Sequence, residues 1–449
     1  MKKHRFKVSL VSSGILMCII TYSQYSLEEV SLPFTGHFKE IIFNRDNIGF
    51  ITGIDESAEG FILRTSNNGD SWQPAEIKNT NTIPHVGCID FISSMKGYAS
   101  AFSNDSAFIL KTNDQGVRWD PVYMGISHEI IYMDYFSEDL GYFIGKTKDQ
   151  FENDIFEILK ISGAENTIDT LELTYNGSSI QGNAQKLTVL NRNTFIVVYK
   201  QLFGGSDLYH VVNDSDVTRI TPSQPVNEVF DLFYSGMGSV LISTGNGNDA
   251  TIYGTDNDGE NWNDLFFHCC TTKINALDVV NDKGIGVGQE VDIAGNRFGL
   301  ISVSVNAGID WNNTAFEEDI ELLDVALSKN GNIFFIGDTT GFLMSSTHTS
   351  IYKLSVSPFS NIGNEKILVN NGILIYPNPI GNYARLIIEI EDYKDLSYQL
   401  FDMKGKLLHA QKITGWETLI DLSGLTPSIY FMKVMSKNQS VKEFKITKN

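Results

Sequence analysis

Short apolar runs alternate with polar, glycine-containing turns along most of this chain. The run from Phe61 to Leu63 ends at Thr65, and the run from Phe108 to Leu110 ends at Thr112. Apolar runs of this length, bounded by turn residues, are typical of strands joined as hairpins. The pattern therefore predicts an all-β chain.

One polar turn recurs four times directly after such runs. A Ser or Thr is followed by an Asn or Asp at the third position, a Gly at the fifth and a Trp at the eighth. The Asn or Asp side chain can accept backbone N–H bonds, and the Gly supplies a positive φ. The Trp begins the next strand and offers a large apolar surface to the seam between units. We therefore expect a structural role for Asn67, Gly69, Trp72, Asp114, Gly116, Trp119, Asn257, Gly259, Trp262, Asn306, Gly308 and Trp311.

The spacing of this turn predicts the architecture. The four tryptophans are 47, 143 and 49 residues apart, and the middle interval is about three times the others, so two copies have decayed. A second mark runs in phase, because the glycines that begin strands at 49, 97, 141 and 284 are 48, 44 and 143 residues apart. A period of this length accommodates four strands, the content of one propeller blade. The spacing predicts about seven blades, and six or eight remain open.

The repeated turn resembles the Asp-box of sialidase-type and photosystem-assembly-factor-type β-propellers. The second group is the more similar, because the run Phe-Ile-Leu followed by Arg64 or Lys111 leads into the turn. The resemblance covers about residues 28–354 and implies a propeller fold. It implies no activity, since function has to be argued from a site.

The chain after residue 373 has its own strand pattern, with a Gly-containing turn at Gly405. About 75 residues of alternating strands predict a small antiparallel β-sandwich. The segment resembles the type A sorting domain of the type IX secretion system of Bacteroidota. This resemblance implies recognition by the type IX secretion machinery at the outer membrane. One departure is Ser428, where the family usually has Gly. The residues that carry the match are Tyr376, Pro377, Asn378, Pro379, Asp402, Gly405, Lys406, Asp421 and Tyr430.

The N-terminus combines a basic start with an apolar run from Val8 to Ile20 and a polar end at Gln24. This layout predicts a cleaved signal peptide. No later segment is long and apolar enough to span a bilayer. We therefore expect a secreted or outer-membrane surface protein. The predicted domains are a signal peptide at 1–24, a propeller at 25–354, a linker at 355–372 and a sorting domain at 373–449.

Charge is distributed unevenly along the chain. The formal net charge is −20, made up of +4 in residues 1–24, −26 in 25–373 and +2 in 374–449. This acidity argues against nucleic acid and against an anionic membrane as partners. A glycan or a protein on one propeller face is compatible with it. Cys88, Cys269 and Cys270 are too few for a disulfide scaffold, and both a vicinal bond and two reduced thiols remain open for the last two.

Three histidines recur at equivalent places before the innermost strands of the first three predicted blades. His37, His85 and His128 precede the strand-starting glycines by 12, 12 and 13 residues. They could form a ligand-binding or metal-binding rim, or be a polar position inherited with the repeat. No metal or cofactor is predicted by any motif.

Acidic residues also recur on the innermost strands. Asp90 and Asp134 are candidate ligand contacts in the channel, and the same place is taken by Asp231, Asp278 and Asp324. A sialidase would need an arginine cluster, and the arginines here are scattered. The leading interpretation is a binding protein that performs no chemistry. The alternative is an extracellular glycan-active hydrolase, sialidase-like or another glycosidase, that uses two channel carboxylates.

Overall fold

The protein is described by a computed structural model. It describes residues 27–78, 85–103, 106–126, 129–162, 167–201, 204–222, 226–236, 239–245, 249–269, 272–291, 297–315, 320–338, 349–354, 373–376, 383–388, 396–413, 417–436 and 439–448. The predicted signal peptide and linker, His128, Cys270 and the segment Pro377–Pro379 lie outside these ranges.

The described residues before 355 form thirty-one strands, and most of these strands form seven sheets. The first strand is β1 (Leu27–Glu29). The first sheet contains β2 (Gly36–Phe43), β3 (Gly49–Asp55), β4 (Gly60–Thr65) and β5 (Gln73–Pro74). The second contains β6 (Glu76–Ile77), β7 (His85–Phe91), β8 (Gly97–Ser103), β9 (Ser106–Thr112) and β10 (Arg118–Ile126). The third contains β11 (Glu129–Ser137), β12 (Leu140–Lys148), β13 (Asp154–Ser162) and β14 (Thr167–Leu171).

A small hairpin, β15 (Thr174–Tyr175) and β16 (Ser178–Ser179), separates the third and fourth sheets. The fourth sheet contains β17 (Asn183–Asn191), β18 (Thr194–Lys200), β19 (Ser206–Val212) and β20 (Asp216–Arg219). The fifth contains β21 (Glu228–Gly236), β22 (Ser239–Gly245), β23 (Asp249–Thr255) and β24 (Asn263–Cys269). The sixth contains β25 (Thr272–Val280), β26 (Lys283–Val291), β27 (Arg297–Ser304) and β28 (Asn312–Ala315). The seventh contains β29 (Glu321–Leu327), β30 (Ile333–Asp338), β31 (Thr349–Leu354) and the N-terminal β1.

The seventh sheet combines the two ends of this region. Strand β1 pairs antiparallel with β31, with Leu27 opposite Leu354. The chain therefore returns to its starting point, and a strand from the beginning completes the last sheet.

The hydrophobic core is divided among the seams between consecutive sheets. Seven clusters of buried side chains each join one sheet to the next, and one of them joins the seventh sheet to the first. In that closing cluster Phe334 of the seventh sheet packs with Ile41 and Leu63 of the first. A closed circle of seams defines a propeller, so the predicted all-β propeller is confirmed.

The four repeated turns share one geometry at their outer edge. In the first copy the Thr65 hydroxyl accepts a hydrogen bond from the Gly69 N–H at 3.0 Å, and the Asn67 side chain accepts one from the Ser71 N–H at 3.0 Å. The other three copies repeat both bonds. Asn68 and Gly69 have φ of 60° and 83°, which is the type I′ arrangement that suits a hairpin.

The glycine of each repeated turn lies against the preceding sheet. A Cβ added at Gly116 would come within 2.1 Å of the Phe50 ring, and one at Gly69 within 2.1 Å of the Phe334 ring. Trp119 is fully buried at the same seam, with its ring 6.4 Å from that of Phe50. The same turn residues therefore close the turn and pack one sheet against the next.

The fourth sheet keeps the turn geometry without the turn sequence. Asn213 and Asp214, between β19 and β20, have φ of 51° and 63°. The Asp214 carboxylate accepts a hydrogen bond from the Tyr142 hydroxyl of the third sheet at 2.8 Å and pairs with Lys160. A polar contact therefore replaces the glycine contact at this seam.

The C-terminal region forms two further antiparallel sheets. Their strands are β32 (Ile373–Tyr376), β33 (Tyr383–Ile388), β34 (Leu396–Phe401), β35 (Leu407–Lys412), β36 (Glu417–Asp421), β37 (Ser428–Ser436) and β38 (Gln439–Lys448). Strands β32, β33 and β36 form one sheet, and β35, β34, β37 and β38 form the other. Both contribute to one buried cluster that includes Leu386, Tyr398 and Met432. This is a small sandwich with its own core.

Candidate functional site in the central channel

The innermost strand of every sheet has a β-bulge near its start. The pairing with the second strand shifts after Phe38, Val86, Ile130, Ala184, Val229, Ile274 and Leu322. A bulge redirects the side chains that follow it. In six of the seven sheets an acidic residue lies at or just after the bulge: Glu40, Asp90, Asp134, Asp231, Asp278 and Asp324.

Each of these six carboxylates accepts a backbone hydrogen bond from the next sheet. We call these contacts the carboxylate clamps. Their donors are the N–H groups of Ile89 to Glu40, Tyr135 to Asp90, Val189 to Asp134, Leu277 to Asp231, Leu327 to Asp278 and Ile41 to Asp324, at 2.7–2.8 Å. A buried N–H group without an acceptor is costly, so each clamp contributes to holding two sheets together.

The seam between the fourth and fifth sheets is different. The fourth innermost strand has Thr188 where the third has Asp134, and within the described ranges no carboxylate of the fourth sheet bonds to the fifth. Instead the ammonium of Lys186 lies 3.3 Å from an Asp231 oxygen. The same ammonium lies 5.1 Å from the centre of the Tyr132 ring, close enough for a cation–π contact.

The six carboxylates and Lys186 line a cavity of about 530 Å³ in the middle of the ring. Burial and, second to it, the charge of Asp324 raise the pKa of Glu40 to about 8. Burial likewise raises the pKa values of Asp90, Asp278 and Asp324 to about 7. Burial lowers the pKa of Lys186, but nearby acidic groups, Asp231 first, outweigh burial and leave this pKa raised.

Two further channel residues carry side chains that could take part in catalysis if their pKa values were lowered. Burial raises the pKa of the Cys88 thiol to about 12, so this free cysteine is a poor nucleophile at neutral pH. Burial also raises the pKa of the Tyr132 phenol, with added repulsion from Asp231. Neither group is therefore activated for chemistry.

The structure brings the predicted acidic residues together but spaces them around the ring. Asp90 and Asp134 lie on neighbouring innermost strands, and each is engaged in its own clamp. The described ranges contain no group of three or more His, Cys, Asp or Glu side chains able to hold a metal ion.

The predicted histidines lie within the innermost strands rather than before them. His37 is the second residue of β2, and His85 is the first residue of β7. Burial lowers the pKa of His85, against the opposing charge of Glu129, and both histidines lie at the start of their strands. Neither histidine lines the cavity between the carboxylates.

The described motif residues of the C-terminal sandwich hold its turns. The Asp402 carboxylate accepts hydrogen bonds from the N–H groups of Lys404 and Lys406 at 2.8 and 2.9 Å, and Gly405 has a φ of 78°. The Tyr430 hydroxyl donates to the Thr426 carbonyl at 2.7 Å. Asp421 accepts a hydrogen bond from the Ser423 N–H at 2.8 Å.

Sequence reasoning missed two channel residues. Glu40 differs from the other acidic residues in type and lies nine residues before its strand-starting glycine, where Asp90 and Asp134 lie seven before theirs. Lys186 lies in a sheet that has lost both repeat marks. The available signal was that Lys186 is the one charged residue of strand β17.

A family model described as a secretion system C-terminal sorting domain matches residues 374–448. This part of the chain is a type IX sorting domain, and it implies export to the cell surface or the medium. No curated protein sequence matches the chain. No helix in the described ranges could cross a membrane.

The solved structures that resemble this chain are propellers. The structure of YCF48 bound to D1 peptide has a TM-score of 0.50 at 14% identity and covers 75% of this chain and 97% of that chain. YCF48 from Cyanidioschyzon merolae has a TM-score of 0.48 at 12% identity, with 73% and 98% covered. PorZ, a surface component of the type IX secretion system of Porphyromonas gingivalis, has a TM-score of 0.44 at 11% identity, with 94% and 61% covered. At these identities the likeness concerns the fold alone.

Proposed function

We propose that this chain is an exported β-propeller that binds a partner outside the cell and performs no chemistry in its channel. The observation that best supports the absence of chemistry in the channel is the set of six carboxylate clamps. A glycosidase needs two carboxyls in different environments, one protonated and one ionised. Here each of the six acidic residues accepts the same kind of backbone hydrogen bond from the next sheet, which supports a structural role.

The export route in this proposal has two signals. The basic and apolar N-terminal segment takes the chain across the inner membrane as a signal peptide. The sorting domain then directs it through type IX secretion, as expected in a member of the Bacteroidota. The domain boundaries at 24, 354 and 372 belong to the same proposal.

The binding surface in this proposal is the channel mouth at the start of the innermost strands. His37 and His85 lie there, at the starts of β2 and β7. The sequence before each of these strands carries none of the repeated turn residues, so it is free to vary with the ligand. A glycan or a protein segment is the ligand class that the acidic, extracellular ring accommodates.

A binding and hydrolysis screen on the exported full chain tests the proposal. We expect retention of at least one glycan or protein ligand and no cleavage of any polysaccharide. The His37→Ala/His85→Ala variant should weaken binding, whereas His409→Ala, in the sandwich, should leave it unchanged. Polysaccharide cleavage that disappears in Asp90→Asn or Asp134→Asn would establish the hydrolase instead. Zinc titration by calorimetry separates metal binding from ligand binding at the histidines.

A further inference from the structure

An exposed row of apolar side chains crosses the outer face of the four-stranded sheet in the sorting domain. Leu407 of β35 lies opposite Phe401 of β34, which lies opposite Phe431 of β37. Leu407 and Phe431 keep 48% and 43% of their surface exposed, and Met403, in the adjoining turn, keeps 64%. We call Phe401, Met403, Leu407 and Phe431 the apolar row.

This row lies on the opposite side of the sheet from the core. Burial alternates along β34 and β37, so that Tyr398, Leu400 and Met432 point into the sandwich. A sheet face exposed to water is normally polar. Four adjacent apolar side chains on such a face mark an interaction surface.

The sorting domain also separates its charges between its two sheets. The described residues of the four-stranded sheet and its turn, 396–412, 428–436 and 439–448, contain seven lysines against two acidic residues, a net charge of +5. The described residues of the other sheet, 373–376, 383–388 and 417–421, contain one basic and two acidic residues, a net charge of −1. The sheet with the apolar row is therefore the positive one.

The motif turn brings the positive charge to the end of the row. Asp402 accepts the N–H bonds of Lys404 and Lys406, and Gly405 completes the tight turn with its positive φ. Because this turn connects β34 to β35, it places Lys404 and Lys406 between Phe401 and Leu407 in the sequence, with both lysines exposed. Asp402 and Gly405 thus fix the backbone of the turn, while the side chains of Lys404 and Lys406 face the solvent.

We propose that the apolar row and the lysine pair Lys404 and Lys406 form the docking surface for a protein of the export machinery. The partner surface would have an apolar centre, to cover the row, and an acidic rim, to face the lysines. The inference rests on the export route proposed above and specifies which face of the sorting domain is recognised.

Export of full-length variants from a type IX-secreting bacterium tests this surface. The charge reversal Lys404→Glu/Lys406→Glu and the row variant Phe401→Thr/Phe431→Thr should each lower the exported fraction by about tenfold, since loss of a buried aromatic or a charge match costs at least about 1.4 kcal/mol in binding. The matched control is Lys412→Glu, at the far end of the same sheet face, which should stay within about twofold of the wild type. Unchanged thermal unfolding of the purified variants excludes misfolding.

Three outcomes would overturn the docking surface or the route. Export of both variants at the wild-type level, while deletion of residues 373–449 abolishes export, refutes the surface and keeps the route. Export of the deletion variant at the wild-type level refutes the route itself. Binding of the purified chain to phosphatidylglycerol vesicles, lost in the lysine variant, would make the occupant an anionic membrane rather than a protein.

Discussion

The Asp278 carboxylate of the sixth sheet accepts a hydrogen bond from the backbone N–H of Leu327 in the seventh sheet at 2.7 Å. The two residues are on neighbouring innermost strands, so the bond crosses the seam between these sheets, as does the bond that the Asn275 side chain donates to the Leu322 carbonyl at 2.7 Å. The carboxylate contact recurs at five other seams, which makes the channel wall a ring of polar clamps inside a ring of apolar seams.

Removal of one clamp should destabilise the whole ring. Asp278→Ala leaves the Leu327 N–H without its partner, and we expect a loss of about 1.5–3 kcal/mol in the free energy of unfolding. Asp278→Asn keeps an acceptor oxygen and should lose less. Urea unfolding followed by tryptophan fluorescence measures both, with the exposed Asp169→Ala as a control expected within about 0.5 kcal/mol of the wild type. Equal losses for Ala at both positions would show that the clamp contributes nothing.

Stability should fall as pH rises from 5 to 8. Glu40, Asp278 and Asp324 have folded-state pKa values of about 8, 7 and 7, above the ordinary values of 4.5 and 3.8. The folded state therefore binds more protons across this window. The stabilisation is complete below about pH 4 and is lost as pH rises through 7 to 8, at up to about 1.4 kcal/mol per pH unit for each group.

Urea midpoints at pH 5, 6, 7 and 8 measure this dependence. The variant Asp278→Asn/Asp324→Asn should have a flatter profile, because two of the titrating groups are gone. Ion-paired surface acids such as Asp139, whose hydrogen bonds with Arg192 lower its pKa to about 2, titrate below the window. A midpoint that rises between pH 5 and 8 would contradict the assignment.

Two glycines with the same φ allow the cost of backbone strain to be measured separately from the cost of packing at a seam. Gly116 and Gly177 both have a φ of 76°, but a Cβ at Gly116 would meet the Phe50 ring at 2.1 Å, and one at Gly177 would meet nothing within 4 Å. Gly177→Ala should cost about 1–2 kcal/mol through its φ alone. Gly116→Ala should cost a further 1–3 kcal/mol, roughly the cost of overpacking a core. Thermal unfolding of both variants measures the difference, and similar losses would mean that Phe50 moves aside freely.

Trp119 should be among the residues most sensitive to truncation. Its side chain is fully buried, and its indole N–H donates to the Gly116 carbonyl at 3.1 Å. We expect Trp119→Ala to lower the free energy of unfolding by about 3–5 kcal/mol. Trp262, which is only partly buried, is the matched position and should lose less. A loss below about 1 kcal/mol at Trp119 would make the repeated Trp a surface feature.

The turns were predictable because their chemistry is local. Thr65, Asn67 and Gly69 lie within five residues, and the hydrogen bonds of the turn form among them and their immediate neighbours. Their residue types and spacing are therefore enough to predict the turn.

The clamps were predictable only in part. Asp90 and Asp134 recur on innermost strands, but a donor such as Tyr135 is 45 residues from its acceptor and bears no mark in the sequence. Lys186 shows the same limit, because its partner Asp231 belongs to another sheet.

The pairing of Leu27 with Leu354 gives the ring a fixed order of assembly. Six sheets can form from contiguous chain as it emerges, but the seventh needs both the first strand and the last three. Closure of the seventh sheet joins residues that are farther apart in the sequence than those of any other sheet, so it has the largest entropy cost of loop closure. We therefore expect the seventh sheet to form last and slowly. Until then the apolar flank of the first sheet, with Phe38 and Ile41, stays uncovered. We therefore expect chaperones to bind this chain before the seventh sheet closes. A substitution near residue 354 would then delay the pairing with residue 27.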